Sequence, residues 1–274
     1  MKKNTIYSLL VIGATCLMTS CSQDSSNLLP NETKIMIDLG TDLSFNTNGQ
    51  NTNKLTRSFD ENEYTNIKNY TVTLTKVQDE EVIHTAIYSD WQLAYEIEPG
   101  TEYTLSASYG TKTPASYDQL LVYGSETFTV QSGSTKKISF QCKPQAAKVN
   151  VVYSDDFSNY FSDCIVSIKT KHMDTPWLMS KSDEGKDLFI QTDENENVEL
   201  SFDVKDLNGE SVSPEGFSGT KTITITPQTL LKLTIKPDVT EIEGGKFGIN
   251  ISINTDVTDE NVNIVLPNDI FNNN

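Results

Sequence analysis

The stretch that decides the fold is Thr135–Tyr153, which reads TKKISFQCKPQAAKVNVVY. Its first half places Ile138, Phe140 and Cys142 at every second position, with polar residues between them. After Pro144 the alternation starts again with Ala147, Val149, Val151 and Tyr153. A period of two residues predicts a β-strand with one buried face. The stretch therefore predicts the last strand of one β-domain, a short junction at the proline and the first strand of a second domain.

The same alternation recurs on both sides of this junction. It is found in Tyr70–Thr75 and Tyr103–Tyr109 in the first half, and in Val198–Lys205, Leu231–Lys236 and Phe247–Ile253 in the second. Beyond the first twenty residues, no segment shows a sustained helical period. About seven short strands in each half are typical of a β-sandwich. The predicted fold is all-β, with two tandem antiparallel β-sandwiches of the immunoglobulin-like or transthyretin-like kind.

The domain boundaries follow from these patterns. We predict a signal peptide at residues 1–20, a flexible tether at 21–33, domain 1 at 34–143 and domain 2 at 144–270. Residues 46–66 are rich in asparagine and lack the alternation, so they are predicted to form a long mobile loop in domain 1.

The N-terminus carries the most specific motif in the chain. Lys2 and Lys3 precede the short apolar run Ile6–Met18. That run is too short to span a bilayer, where about 20 apolar residues are needed, and it is typical of an export signal. It ends in Leu17–Cys21, LMTSC, which looks like the lipobox cleaved by a lipoprotein signal peptidase. Cys21 is therefore the predicted lipidation site, and the partner it implies is a membrane, reached through an N-terminal lipid.

Composition and charge exclude several classes of protein. The 274 residues are 36% hydrophobic and 22% charged, which argues against a multi-span membrane protein and against a wholly disordered chain. The net charge of −17 repels phosphate backbones, so no nucleic-acid partner is expected.

The sequence offers no clear catalytic or metal-binding motif. His84 and His172 are the only histidines, they are far apart, and neither H-x-x-x-H nor C-x-x-C occurs. Hydrogen-bonded or solvated histidines are the expected outcome. The acidic residues concentrate in predicted turns: Asp155, Asp156, Asp193, Glu194, Glu196, Asp256 and Asp259. Calcium binding and a glycosidase-like carboxylate pair remain alternatives for these acids, but we predict no enzyme activity, no cofactor and no metal.

Four aromatic residues are candidates for ligand contact because they fall in or near predicted loops. They are Trp91, Tyr117, Tyr123 and Trp177. Such rings can stack on a sugar or pack against a protein partner. The alternative is that they are partly buried residues of the sandwiches.

Two cysteines lie in the predicted domains. Cys142 and Cys164 each occupy an inward position of a strand. Two separate buried thiols are the favoured interpretation, and a disulfide, which an exported location would permit, is the alternative.

Motifs along most of the chain resemble small outer-membrane lipoproteins of gut Bacteroidales. The similarity is to one of their uncharacterised families, a domain of unknown function, and more loosely to fimbrillin-like proteins. It is carried by Thr56–Ser58, Glu98–Leu105, Tyr109–Gly110, Phe128–Val130, Phe140–Lys143, Lys148–Val151 and Leu231–Pro237. The resemblance implies tandem sandwiches on a lipid anchor in the outer membrane, without an assigned activity.

The sequence leaves two functions open. The first is a non-enzymatic lipoprotein that is exposed at the cell surface, or else faces the periplasm, and presents its loops to a glycan or a protein. The second comes from the fimbrillin likeness, in which a precursor is cut after an early arginine and its first strand is replaced by a neighbour's. Arg57, the only arginine of the chain, would be the processing site, and Lys34–Phe45 the exchangeable strand.

Overall fold

The computed structural model describes residues 32–47, 50–51, 61–91, 94–212, 220–242, 246–254 and 259–265. Within these ranges the strands are β1 (Lys34–Thr41), β2 (Asn46–Thr47), β3 (Gln50–Asn51), β4 (Thr71–Lys76), β5 (Val82–Ile87), β6 (Tyr95–Glu96), β7 (Glu102–Gly110), β8 (Ala115–Ser116), β9 (Leu121–Thr129), β10 (Thr135–Pro144), β11 (Ala146–Tyr153), β12 (Asp163–Lys169), β13 (Trp177–Met179), β14 (Asp187–Gln191), β15 (Glu196–Lys205), β16 (Ser211–Val212), β17 (Lys221–Ile225), β18 (Leu230–Ile242), β19 (Lys246–Asn254) and β20 (Asp259–Val265). The helical elements are α1 (Glu61–Thr65) and the 3-10 turns Ile67–Asn69, Tyr88–Asp90, Phe157–Asn159 and Lys181–Asp183. The prediction of an all-β fold is confirmed.

Domain 1 is built on one sheet with the strand order β5-β4-β7-β9-β10-β1-β6. β9 and β10 pair only at Tyr123–Lys143 and Val122–Pro144, so the sheet divides there into two layers. Alternating residues of both layers enclose one core, in which Leu74 and Leu105 of the first layer lie with Ile138 of the second. The two layers therefore form a sandwich that remains continuous at one corner.

Domain 2 is a sandwich of two separate sheets. One sheet has the order β20-β19-β18-β11-β14-β8, and the other has β13-β12-β15-β16, with β17 also paired to β15. Val149 and Leu233 of the first sheet share a core with Val166 and Leu200 of the second. None of the helices in the described ranges is long and apolar enough to cross a membrane.

Two pairs of strands run parallel, a feature that the alternation does not predict. β1 pairs in parallel with β10 over eight residues, and β11 pairs in parallel with β18. In each domain the first long strand thus lies beside a strand that comes much later in that domain, so the closing contacts of both sandwiches are made between distant parts of the sequence.

The predicted mobile loop at residues 46–66 contains regular structure, namely β2, β3 and α1. Residues 48–49 and 52–60 lie outside the described ranges, but α1 forms at the end of the segment. Tyr64 on α1 is buried, with its ring against Tyr109 and its hydroxyl accepting from the backbone N–H of Leu120. Tyr70 in turn donates its hydroxyl hydrogen to the carbonyl of Tyr64. Burial of these tyrosines fixes the helix on domain 1.

The loop between β7 and β9 crosses from domain 1 to domain 2, and we call it the crossing loop. It begins at Gly110, where φ is 85° and a Cβ atom would lie 1.9 Å from the carbonyl oxygen of Leu120, so only glycine fits. The loop places β8 beside β14, with Ala115 opposite Ile190, and the carbonyl of Pro114 accepts from the N–H of Gln191 at 2.9 Å. Domain 1 therefore supplies the edge strand of a domain 2 sheet.

The junction between the domains is buried. Phe45 of domain 1 contacts Phe189 of β14, with ring centroids 5.7 Å apart. Lys148 of β11 places its Nζ over the Phe45 ring, 5.1 Å from the centroid, and 3.5 Å from Oδ2 of Asp187. Gln228 donates to the backbone carbonyl of Ser44 at 3.1 Å. These contacts make the second face of β11 and β14 an internal surface.

The two cysteines lie in different cores. Cys142 is buried in domain 1 and Cys164 in domain 2, and both are free thiols. Burial raises the pKa of Cys142 to about 12 and also raises that of Cys164. The prediction of two separate buried thiols is confirmed, and both are poor nucleophiles.

Candidate functional site

One candidate surface lies where domain 1 leaves a side of its sandwich open, between the edge strands β5 and β6. Three rings meet there, and we call them the aromatic trio: His84, Trp91 and Tyr95. His84 stacks on Tyr95 with centroids 4.9 Å apart, and Trp91 meets the edge of His84 at 4.7 Å. The Nε1–H of Trp91 donates to the carbonyl of Ala86 at 3.3 Å. The trio therefore bridges the two layers.

The strand register explains why these rings meet. His84 lies opposite Leu74 of β4, and Tyr95 lies opposite Ile35 of β1. Leu74 and Ile35 are core residues, so the two edge-strand rings share the inward face with them. Among the strands that the structure describes, none follows β5 or β6 in the sheet, and the rings are half-buried rather than fully covered.

A hollow continues along the same side. It is lined by Lys76, Ile83, Glu96, Ile97, Glu98, Pro99 and Tyr103. Lys76 pairs with Glu98 at 3.1 Å, and the hydrogen bond to Glu98 raises the pKa of that lysine. Val82 and Ile87 are 59% and 47% exposed but lie opposite Thr75 and Thr71, on the outer face of β5. We call the hollow and the trio the open side of domain 1; it offers apolar, aromatic and charged groups together.

A second aromatic pair lies on domain 2. Trp177 of β13 meets Tyr117 edge-on, with centroids 5.4 Å apart, and its Nε1–H donates to the Tyr117 hydroxyl at 3.4 Å. Lys186 lies over the Tyr117 ring at 5.3 Å. Burial raises the pKa of Tyr117. Both rings pack against the domain 2 core. Tyr117 belongs to the crossing loop, so its packing attaches that loop to domain 2.

The structure does not bring the four predicted aromatic residues into one site. Tyr123 stands on β9, 38% exposed. In the described part of the chain, no ring contact joins Trp91, Tyr123 and the Tyr117–Trp177 pair. Conversely, His84 and Tyr95 were not predicted as site residues. No sequence motif marks these two residues as part of a site. What distinguishes them is their position, because each lies on a strand at an edge of the sheet.

The predicted processing and lipidation positions, Arg57 and Cys21, lie outside the described residues. Two of the predicted acidic turns are separated. Asp155 follows the end of β11 and Asp193 follows the end of β14, and these strands are antiparallel neighbours. The two turns are therefore at opposite ends of the sheet, at least a strand length apart, and do not line a common cleft. Asp256 lies outside the described residues, and Asp259 begins β20.

One acidic turn, the turn after β14, lies close to a histidine. Asp193 and Glu196 lie beside His172, which the sequence predicts only as a solvated or hydrogen-bonded residue. The hydrogen bond from Lys171 lowers the pKa of Asp193 and raises that of the lysine. Sequence spacing does not predict this group because its members come from two turns that only the pairing of β12 with β15 brings together.

Comparison with known proteins gives the family. The family described as "Domain of unknown function (DUF4493)" matches residues 42–268, which include most of both domains. The chain belongs to the DUF4493 family. This confirms the resemblance to an uncharacterised family that the motifs indicate. No curated protein matches the sequence.

Several solved structures are similar to this DUF4493 chain. A candidate cell adhesion protein from Parabacteroides distasonis shares 10% identity and a TM-score of 0.41, covering 82% of this chain and 97% of its own. A fimbrial assembly protein from the same species shares 10% identity and a TM-score of 0.40, covering 85% and 98%. A candidate cell adhesion protein from Bacteroides eggerthii shares 12% identity and a TM-score of 0.40, covering 88% and 98%. At these values, no function is inferred from the similarity.

Proposed function

We propose that the protein is a non-enzymatic lipoprotein of the cell envelope, anchored in the outer membrane through Cys21 and exposed at the cell surface. In this proposal the open side of domain 1 binds a glycan or a protein partner. The observation that carries it is the convergence, on one side of one domain, of the half-buried aromatic trio and a hollow lined by charged and apolar residues.

The chemistry of the open side suits recognition. Trp91 can offer a ring to the apolar face of a sugar or to an apolar side chain of a protein. Lys76 and Glu98 can exchange their mutual contact for hydrogen bonds to ligand hydroxyl groups. Within the described ranges no strand pairs with the outer edge of β5, and an extended segment of a protein can pair there.

The Trp91→Ala variant tests the proposal. We expect a ligand bound by the unaltered protein, found on a panel of immobilised polysaccharides and envelope or host proteins, to bind at least about tenfold more weakly, because a central aromatic contact contributes more than about 1.4 kcal/mol. Tyr123→Ala is the matched control, since it removes an exposed ring from another strand. Surface exposure is measured by protease accessibility on intact cells.

Two outcomes would contradict the proposal. One is equal binding by the Trp91→Ala variant and the unaltered protein, which would put the binding surface elsewhere. The other is full protection of the lipoprotein in intact cells, which would place it inside the envelope.

A second candidate function is a fimbria-like structural subunit. The observation that favours it is the position of β1, which pairs with β10 over eight residues but, among the described strands, pairs on its other edge with two residues of β6. Ile35 and Leu39 of β1 are buried in the domain 1 core. Removal of β1 would open a groove beside β10 that a strand from another subunit could fill.

The mature N-terminus separates the two functions. If the subunit hypothesis is correct, mass spectrometry of protein from the cell envelope gives a chain that begins at Ser58, and Arg57→Ala abolishes this form together with any polymer. Arg57→Lys is the control for a cut that depends on arginine rather than on charge. A chain that begins at acylated Cys21, unchanged in Arg57→Ala, would contradict processing.

A further inference from the structure

Three potential ligand atoms converge at the end of domain 2 that faces the crossing loop. Nε2 of His172 lies 3.2 Å from Oε2 of Glu196 and 3.5 Å from Oδ1 of Asp193. All three atoms lie within 4.8 Å of one another. An imidazole nitrogen and two carboxylate oxygens are the donors that divalent transition metals prefer.

The surrounding backbone fixes the carboxylate of Glu196. Its side chain is only 2% exposed. Oε1 accepts from the backbone N–H of Lys171 at 3.0 Å, and Oε2 accepts from that of Asp193 at 2.8 Å. The Glu196 carboxylate thus fixes the turn after β12 and the turn after β14. A lone pair on Oε2 still faces His172. This is the arrangement of a preformed ligand.

The imidazole of His172 is held by a hydrogen bond on one side and faces the two carboxylates on the other. Nδ1 lies 3.0 Å from the side-chain amide of Gln191, whereas Nε2 is buried and makes no hydrogen bond. A half-turn of the amide would let Nδ1–H donate to Oε1 of Gln191, which leaves the Nε2 lone pair for a cation. A buried, unsatisfied nitrogen that faces two carboxylates is an independent indication of a missing ligand.

The spacing indicates the size of the cation. Bonds of 2.0–2.1 Å in a tetrahedron separate neighbouring ligand atoms by about 3.3 Å, close to the 3.2 and 3.5 Å observed. Calcium requires six to eight oxygen ligands at longer distances, more than this group supplies. We propose that His172, Asp193 and Glu196 bind one zinc-type divalent transition-metal ion, with water at the fourth position.

Lys171 competes with the metal for the same carboxylates. Its Nζ lies 2.5 Å from Oδ2 of Asp193 and 3.7 Å from Oε2 of Glu196. The lysine side chain is 58% exposed, so it can swing into solvent when the ion enters. Asp193 is also half exposed, which leaves an entry path. The ammonium group therefore weakens metal binding without blocking it.

The bound ion would act as a clamp close to the domain junction. It would join the turn after β12 to the turn after β14. Gln191, which ends β14, already donates its backbone N–H to the carbonyl of Pro114 in the crossing loop. Since the ion binds only the folded site, binding raises the stability of the fold by mass action.

The proposal is tested with zinc alone, by calorimetric titration of the metal-free protein, purified without a histidine tag. We expect one equivalent to bind and the melting temperature to rise. His172→Gln should weaken binding more than about tenfold, and Lys171→Met should strengthen it severalfold because the competing charge is gone. His84→Gln is the matched control, since it removes the only other histidine and should leave the affinity unchanged.

Several results would overturn the proposal. Absence of zinc binding in both the unaltered protein and Lys171→Met would exclude the site, since the second variant removes the competitor. Binding that persists in His172→Gln but is lost in His84→Gln would place the metal in domain 1. Circular dichroism of each variant, recorded without metal, ensures that a loss of binding does not reflect unfolding.

Discussion

Replacement of Lys148 by methionine is expected to lower the free energy of unfolding by about 3–5 kcal/mol. The side chains of Lys148 and Asp187 are only 3% and 6% exposed, and their charged atoms lie 3.5 Å apart. The substitution keeps the Asp187 carboxylate buried, with its hydrogen bond from Asn150, and removes the Lys148 ammonium group that faces it. It also removes the cation that lies over the Phe45 ring, so both the domain 2 sheet and the junction lose a contact.

Urea denaturation followed by circular dichroism measures this loss. The double variant Lys148→Met/Asp187→Leu is the control, because replacing both charges by apolar groups also removes the buried carboxylate and should recover most of the stability. Equal instability of the single and double variants would instead mean that packing, not the buried charge, accounts for the effect. Lys137→Met, at an exposed ion pair with Asp38, should change stability by less than about 1 kcal/mol.

Replacement of Phe189 by alanine is expected to cost about 3–5 kcal/mol. Phe189 belongs to a domain 2 strand, yet its side chain is 2% exposed and lies in the domain 1 core beside Phe45. The cavity would therefore open at the junction, and both domains would lose buried contacts. Phe189→Leu retains most of the apolar contact and should cost only about 1–2 kcal/mol.

The two tryptophans make this prediction measurable domain by domain. Trp91 lies in domain 1 and Trp177 in domain 2, and the chain has no others. In a Trp177→Phe background, fluorescence reports the unfolding of domain 1 alone; in a Trp91→Phe background it reports domain 2. We expect Phe189→Ala to lower the urea midpoint in both backgrounds. A domain 1 midpoint that stays at its original value would show that the junction does not support that domain.

Much of the secondary structure is predictable because β-strand periodicity is a local property. A residue and its second neighbour lie on the same face of a strand whatever the strand pairs with. The alternation of Tyr103–Tyr109 and Val198–Lys205 therefore predicts β7 and β15 directly. The inward positions of Cys142 and Cys164 follow from the same rule, and both are buried.

The local sequence of a strand does not determine which other strand it pairs with. The candidate sites depend on this pairing. Tyr95 joins His84 only because β6 pairs with β1 while β5 pairs with β4. His172 meets Asp193 and Glu196 only because β12 and β15 are neighbours. Since these contacts join residues far apart in sequence, no short pattern specifies them.

The sequence alone determined the all-β class, the restart of the pattern after Pro144 and the family. Only the tertiary structure decided which polar residues are buried. By alternation, Lys148 lies on the face of β11 opposite Val149 and Val151, where a sandwich strand normally meets water. It is buried because domain 1 covers that face and supplies the ring of Phe45. Periodicity reports which residues share a face, whereas burial depends on what a distant part of the chain brings against that face.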